Sequence, residues 1–181
     1  MTTIGFLELN SIAKGIEAAD AMLKAAETEL IFAKASCPGK YYILISGEVA
    51  AVKSSIDAGC QVGGGYVIDN MIIPRVHPEV ISAINLCTVP DTTNAVGVME
   101  FYSVTASIIA ADTAVKSAFV SIVDIRLGTG IGGKSFVVIT GETAAVSSAI
   151  DAGINAENMQ GMVLDHVVIP NPRREIFESL L

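Results

Sequence analysis

The chain has 181 residues, of which 51% are hydrophobic, and this is enough apolar material to fill the core of one ordinary domain or two small ones. Its net charge of −8 is spread along the chain, with six basic and nine acidic residues up to Pro90 and five basic and ten acidic residues after it. Neither half carries a basic patch, so nucleic-acid binding is not expected. The first residues lack the organisation of a signal peptide and charges interrupt every apolar stretch, so we expect a soluble intracellular protein without membrane contact.

The first half of the chain predicts an α+β domain. Strands are expected over residues 4–9, 29–35, 41–46 and 66–73, with helices after Ser11, over residues 48–58 and over residues 78–86. The order strand, helix, strand, strand, helix, strand, helix is the ferredoxin-like split arrangement with an additional terminal helix.

Local residue types support these helices. Ser11 is a suitable N-cap, and the apolar residues that follow it fall on one face of the first helix: Ile12, Ile16, Ala19 and Leu23. In the second helix, Val49, Val52 and Ile56 are predicted to face inward, and Gly59 is suited to a left-handed residue at its end.

The sequence of the first half returns in the second half. IGFLELNSIAKGIEAADAMLKAA, from Ile4, reappears as VGVMEFYSVTASIIAADTAVKSA, from Val96, at an offset of 92 residues. The offset becomes 94 where SGEVAAVKSSIDAG aligns with TGETAAVSSAIDAG, and 96 by Pro74 and Pro170. The chain is therefore predicted to hold two copies of one domain, over residues 1–88 and 95–181, joined within residues 86–94.

The motifs IGFLEL, AADAMLKAA, SGEVAAV and IPRVHPEV, with a Gly-Lys pair before the third strand, resemble the bacterial microcompartment shell-protein domain over nearly the whole chain in two copies. The similarity is greatest to the tandem class of the propanediol-utilisation compartment, which shares the bends Cys-Pro-Gly-Lys and Gly-Ile-Gly-Gly-Lys. Because the chain starts at the strand IGFLEL, it resembles the unpermuted tandem members. The resemblance implies homotrimers with six domains around a pseudo-sixfold axis, which makes each trimer a pseudohexameric tile.

The bend between the second and third strands contains Ser36, Cys37, Pro38 and Gly39. In the family this bend lines the central pore, so a trimer would bring three Cys37 thiolates together. The resemblance therefore implies one 4Fe-4S cluster per trimer, held by three Cys37 ligands and a non-cysteine or external fourth ligand. The alternative is a metal-free tile whose pore conducts small metabolites.

The equivalent bend of the second half, GTGIGGKS from Gly128, matches two nucleotide-binding patterns, G-x-x-x-x-G-K-[ST] and G-x-G-x-x-G. Both patterns need a helix after the loop, because the helix N-terminus holds the phosphate. The following FVVIT run predicts a strand, which argues against a nucleotide-binding regulator or a ferredoxin-like enzyme. The resemblance instead places four residues of this bend around the pore: Gly130, Ile131, Gly132 and Gly133.

The resemblance also implies lateral assembly at tile edges. Lys24 and Lys116 match the family's edge lysine, and Arg75, with His77 nearby, matches its I-P-R-x-H stretch. The second half has Asn171 at the position of that arginine, so the edges of the two domains are not expected to be identical.

The remaining cysteines, histidines and paired carboxylates are predicted to have structural roles. Cys60 and Cys87 form no C-x-x-C pair, so packing is favoured for both. The two histidines, His77 and His166, are not at equivalent positions and do not suggest a Cys-His dyad. The carboxylate pairs that recur in both halves lack the context of a cleft: Glu8 and Glu100, and Asp20 and Asp112.

The resemblance therefore implies a shell protein and not an enzyme. It is expected in the microcompartment shell, in the cytoplasm, with other shell proteins as lateral partners. A pore cluster would serve electron transfer or cluster holding, which implies an encapsulated redox enzyme as a further partner.

Overall fold

The computed structural model describes residues 2–85 and 94–179, and the chain divides into two compact units, Met1–Val76 and His77–Leu181. The first unit contains β1 (Thr3–Leu9), α1 (Ile12–Ala25), β2 (Glu29–Ser36), β3 (Lys40–Gly47), α2 (Val49–Gly63), a short 3-10 turn (Gly64–Tyr66) and β4 (Val67–Ile73). The second contains α3 (Pro78–Asn85), β5 (Ala95–Phe101), α4 (Val104–Ser117), β6 (Val120–Leu127), β7 (Ser135–Gly141), α5 (Thr143–Ile154), β8 (Val163–Pro170) and α6 (Arg174–Glu178). Within the described ranges, no helix is both long and apolar enough to cross a bilayer.

Each unit contains one four-stranded antiparallel sheet, with the order β2-β3-β1-β4 in the first and β6-β7-β5-β8 in the second. This order and the succession of elements confirm the ferredoxin-like prediction and the duplication. The repeat extends to irregular features, because β2 has a bulge between Leu30 and Phe32 and β6 has one at the equivalent positions, between Ile122 and Asp124.

Helices α1 and α2 cover one face of the first sheet. The core between them consists of Leu7, Leu9, Ala18, Ala19, Met22, Ile43, Ile45, Val52 and Ile56. The predicted N-cap is confirmed, since the Lys14 amide donates to the Ser11 hydroxyl at 3.3 Å. At Gly15 a Cβ atom would lie 2.4 Å from the Tyr41 side chain, so the absence of a side chain allows α1 to approach the sheet closely.

Of the four residues predicted to form the buried face of α1, only Ala19 is buried. Ile12 is 43% exposed, Ile16 56% and Leu23 40%, whereas the buried residues of the helix are Gly15, Ala18, Ala19 and Met22. Gly15, Ala18 and Ala19 permit close packing on the sheet, with Met22 as the one large side chain of α1 in the core.

Two details of the α2 prediction are wrong. Val52 and Ile56 are buried as expected, but Val49 is 51% exposed. The helix does not end at Gly59 but continues to Gly63, and the positive φ of 51° at the helix end belongs to Gly64. Gly59 instead provides space, since a Cβ atom there would lie 2.6 Å from Met22.

Helix α3 packs within the second unit, although its sequence belongs to the first repeat. It lies against β6, where the Ile122 amide donates to a carboxylate oxygen of Glu79 at 2.9 Å. Just before the helix, the His77 amide donates to Asp112 Oδ1 at 2.8 Å. The predicted end of this helix, Leu86, and most of the predicted join between the domains lie outside the described residues.

In the second unit α6 places one side chain, Phe177, on the face of the sheet opposite α4 and α5. Phe177 packs there against Val96, Val123 and Val138. A Cβ atom on Gly97, whose neighbours Val96 and Val98 lie on that face, would meet Val146 of α5 on the opposite side.

Candidate functional site

The first bend presents a thiol at the surface of the chain. β2 ends at Ser36 and β3 begins at Lys40, and the Gly39 amide donates to the Ser36 carbonyl at 2.9 Å to close the turn. Cys37 and Pro38 are exposed, and the peptide bond between them is cis. Gly39 has φ of 86°, and a Cβ atom there would have no neighbour within 4 Å. The thiol is therefore carried by a tight turn with open space beside it.

An ion pair holds the base of this bend. Lys40 Nζ lies 2.5 Å from Glu8 Oε1, and the Glu8 side chain is almost completely buried. The sequence predicts only a structural role for Glu8 and does not predict its pairing with Lys40. The repeat offers a signal for this pair, because Glu100 and Lys134 form the equivalent ion pair at 2.5 Å in the second unit. Both members recur in both halves, which is the pattern expected of residues in contact.

Tyr42 lies on the neighbouring strand beneath the first bend and is fully buried. Burial, with smaller contributions from the negative charges of Glu8 and Cys37, raises the pKa of its phenol to about 12, although a hydrogen bond with Ser36 acts in the opposite direction. Ser36, at the end of β2, is therefore a buried partner of Tyr42, while its neighbour Cys37 points outward.

The second bend differs in chemistry from the first. It joins β6 to β7, so a strand follows GTGIGGKS, and a loop of this kind lacks the helix N-terminus that both nucleotide-binding patterns require. Gly128, Gly130, Gly132 and Gly133 all have positive φ values, between 68° and 81°. The glycines therefore serve the backbone path of the bend.

Three of the four predicted residues of the second bend, Gly130, Ile131 and Gly132, are exposed or partly exposed, and Gly133 is buried. Before the bend, Arg126 is paired with the buried Asp124 at 2.5 Å. No cysteine occurs in this bend, so the two halves of the chain do not offer equivalent ligands.

Cys60 is less accessible than Cys37. It is partly buried on α2, and burial, together with the nearby Asp57 charge, raises the pKa of its thiol. A raised pKa keeps the thiol protonated, and metals bind the thiolate. Cys87 lies outside the described residues. In the ranges 2–85 and 94–179, no three His, Cys, Asp or Glu side chains of one chain come together as a metal site.

The predicted edge residues occupy different environments in the two units. Lys24 forms an ion pair with Asp20 at 2.5 Å, and both side chains are largely exposed. Lys116 forms the same pair with Asp112 at 2.5 Å, but there the carboxylate is buried and also accepts the His77 amide. The structure therefore brings His77 next to the Lys116 pair and leaves the Lys24 pair open.

Arg75 is exposed and has φ of 53°, and its counterpart Asn171 has φ of 46°. The backbone of the two repeats is therefore alike at this position although the side chains differ. The His77 side chain is partly buried, and its Nδ1 atom has no hydrogen-bond partner among the described residues. Arg75 is consequently the more available of the two for contacts with another molecule.

Comparison with known proteins assigns the chain to a family. A family model described as the BMC domain matches residues 3–76 and again residues 95–172. The chain therefore belongs to the BMC-domain family and carries this domain twice in tandem, as the resemblance in the sequence predicted.

Similar proteins are shell components of microcompartments. The bacterial microcompartment shell protein PduT of Citrobacter freundii is 38% identical over 178 residues, which cover 98% of this chain and 97% of PduT. A microcompartment protein from Desulfitobacterium hafniense DCB, known from its crystal structure, is 50% identical in sequence. The two structures match with a TM-score of 0.91 over 98% of this chain and 99% of that one. The fused permuted hexameric shell protein of the RMM microcompartment is 25% identical, with a TM-score of 0.62 over 84% and 81% of the two chains. This chain is accordingly a structural protein of a microcompartment shell and not an enzyme.

Proposed function

We propose that this shell protein assembles as a homotrimer in which three Cys37 thiolates hold one 4Fe-4S cluster at the central pore. The observation that carries the proposal is the position of Cys37, an exposed thiol on the tight turn between β2 and β3. Within residues 2–85 and 94–179, one chain supplies a single exposed thiol, so a cluster with several thiolate ligands requires several chains. Threefold symmetry would supply three soft ligands and leave the fourth iron to a non-cysteine or external ligand.

The residues of the first bend fit such a cluster. A Cβ atom at Gly39 would meet no atom within 4 Å, so the chain itself does not obstruct a group bound beside the turn. The bend itself holds no His, Asp or Glu beside Cys37, in agreement with a fourth ligand from elsewhere. The buried Lys40–Glu8 pair fixes the start of β3, so that each copy would present its thiol in the same position.

When bound, a cluster of this kind supplies one-electron redox chemistry, which suits electron transfer across the shell or the holding of a labile cluster. The chain contributes the thiolate, the turn that carries it and the rigid strand ends on either side. In the same assembly the glycine-rich second bend would line the pore between the Cys37 bends. An encapsulated redox enzyme is the partner that electron transfer would require.

Lateral assembly with other shell proteins completes the proposal. We assign Lys24, Lys116, Arg75 and His77 to the edges of the tile. The support is the exposure of Lys24 and Arg75, whose side chains a neighbouring molecule can reach. A lysine ammonium can donate several hydrogen bonds to backbone carbonyls on an adjoining tile.

The test is the iron and sulfide content per trimer after anaerobic reconstitution, with absorption and electron paramagnetic resonance spectra. The parent protein should bind about four irons per trimer and turn brown. Cys37→Ser should lose both, because a hydroxyl remains protonated at neutral pH and is a hard ligand. The Cys37→Ser trimer itself should persist.

Cys60→Ser and Cys87→Ser are matched controls that leave the bend intact and should keep the iron. A parent protein that takes up no iron, or a Cys37→Ser variant that keeps its full iron content, would contradict the cluster. Either result would favour an open pore that conducts small metabolites.

A further inference from the structure

The two bends differ in the side chains beneath them as well as in the cysteine. Two buried hydroxyls lie under the first bend, on Ser36, which is 8% exposed, and on Tyr42, which is 0% exposed. Their repeat counterparts, at offsets of 92 and 94 residues, are Gly128 and Phe136, and neither carries a hydroxyl. The Lys–Glu ion pair at the base of the bend, by contrast, is present in both repeats. The two hydroxyls therefore accompany the Cys37 thiol, whereas the ion pair accompanies any bend of this kind.

Strand register places the two hydroxyls on one face of the first sheet. β2 and β3 pair so that Ser36 is opposite Lys40 and Lys34 is opposite Tyr42. Because alternate residues of a strand share a face, Ser36 and Tyr42 are diagonal neighbours, a separation that an aromatic side chain can span. A hydrogen bond joins them. Cys37 follows Ser36 directly, so the thiol is one residue away from this buried contact.

The Tyr42 hydroxyl is not needed for the fold, since Phe136 occupies the same position of the second sheet without one. Among the described residues, no hydrogen-bond partner of good distance and angle meets Tyr42 Oη, so its hydrogen bond with Ser36 is weak. Burying a hydroxyl with a weak partner lowers the stability of the folded chain. A group that lowers stability and occurs in one repeat only points to a role in what that repeat alone does, which is to present a thiol.

We propose that Tyr42 and Ser36 are positioning residues that fix the place of the Cys37 thiol. The Tyr42 ring is itself held, because it packs against the buried Phe6 ring with centroids 5.5 Å apart and an interplanar angle of 52°. Its hydroxyl restrains the Ser36 side chain, and this restraint limits the movement of the backbone that carries Cys37.

The inference rests on the cluster of the proposed function, which needs three thiols at defined places. Side chains behind the ligands of a metal site orient those ligands, and their loss weakens metal binding even though they do not touch the metal. Tyr42 and Ser36 would act in this way, with Cys37 alone as the ligand.

Tyr41 provides a matched control for Tyr42. It precedes Tyr42 on β3 and packs on the opposite face of the sheet, against the α1–α2 core and beside Gly15. Tyr41→Phe therefore removes a hydroxyl from the same strand without affecting the contact with Ser36.

The first test uses iron-free full-length protein with a nitroxide spin label on Cys37, in a background of Cys60→Ser and Cys87→Ser. Labelling is sparse, so that labels on neighbouring chains do not interact. Tyr42→Phe and Ser36→Ala should each narrow the electron paramagnetic resonance spectrum, because the label gains mobility, and Tyr41→Phe should leave it unchanged. The double variant should be no more mobile than either single variant, because both changes break one contact. Equal spectra for the parent and Tyr42→Phe would overturn the proposal.

The second test measures iron release to a chelator from protein with its three cysteines, after anaerobic reconstitution. Tyr42→Phe and Ser36→Ala should release iron about tenfold faster than the parent, and Tyr41→Phe at the parent rate. Release at the parent rate from Tyr42→Phe would overturn the positioning role while leaving the cluster in place. A parent that takes up no iron would contradict the cluster alone, and the spin-label spectra would then decide whether Tyr42 and Ser36 fix the thiol.

Discussion

Lys40 Nζ lies 2.5 Å from Glu8 Oε1, and the two side chains are 21% and 2% exposed. The equivalent atoms of Lys134 and Glu100 are also 2.5 Å apart, but these side chains are 43% and 34% exposed. Each repeat therefore has a Lys–Glu ion pair at the base of its bend, and the pair in the first repeat is the more deeply buried of the two.

This difference predicts unequal costs of removing the lysine. Lys40→Met should lower the free energy of unfolding by about 3 kcal/mol, because it leaves a buried carboxylate without its partner. Lys134→Met should cost about 1 kcal/mol or less, because water can solvate Glu100. Urea titrations followed by circular dichroism would measure both, and equal losses would show that burial of Glu8 does not determine the strength of the pair.

Tyr42 predicts a loss of stability at high pH. Burial raises the pKa of its phenol from 10.0 to about 12 in the folded chain, so unfolding releases its proton between these two values. The protonated form is favoured in the folded state, so the contribution is fully present below pH 10 and is lost as the pH rises toward 12. The measurement is thermal unfolding of iron-free protein across this range.

In Tyr42→Phe the alkaline decline in stability should be shallower than in the parent. The difference in tyrosinate absorbance between the two proteins gives the titration of Tyr42 directly. A midpoint for that difference near pH 10 would contradict the effect of burial.

We predict that Lys24 is needed for the assembly of trimers into larger sheets and not for the trimer itself. Lys24→Ala should abolish or weaken sheets in electron micrographs while trimers persist. The exposed ion pair with Asp20 contributes about 0.5 kcal/mol or less, so folding should hardly change. Lys14→Ala is the control, since Lys14 lies on the same helix in a comparable exposed pair with Glu17. Sheets that form equally well in Lys24→Ala would show that this residue is only solvated.

The sequence by itself determined the duplication, the order of the elements, the two bends and the family. These features depend on local patterns, such as the Ser11 cap, the alternation of strands and helices, and the repeated motifs, which each segment carries whatever its neighbours are. The strand after GTGIGGKS was predictable for the same reason. Because both nucleotide-binding patterns need a helix at that place, the strand argues against nucleotide binding by this loop.

Only the tertiary structure decided which apolar residues form the core. Ile12, Ile16 and Leu23 have the spacing of a buried helix face, yet they lie outside, and the small residues of α1 pack on the sheet. Periodicity indicates that one face of a helix is apolar. It does not indicate whether the same chain or another chain covers that face. The Lys40–Glu8 pair was not predicted from the sequence either. The two residues lie 32 positions apart and meet only because β1 and β3 are neighbouring strands of one sheet.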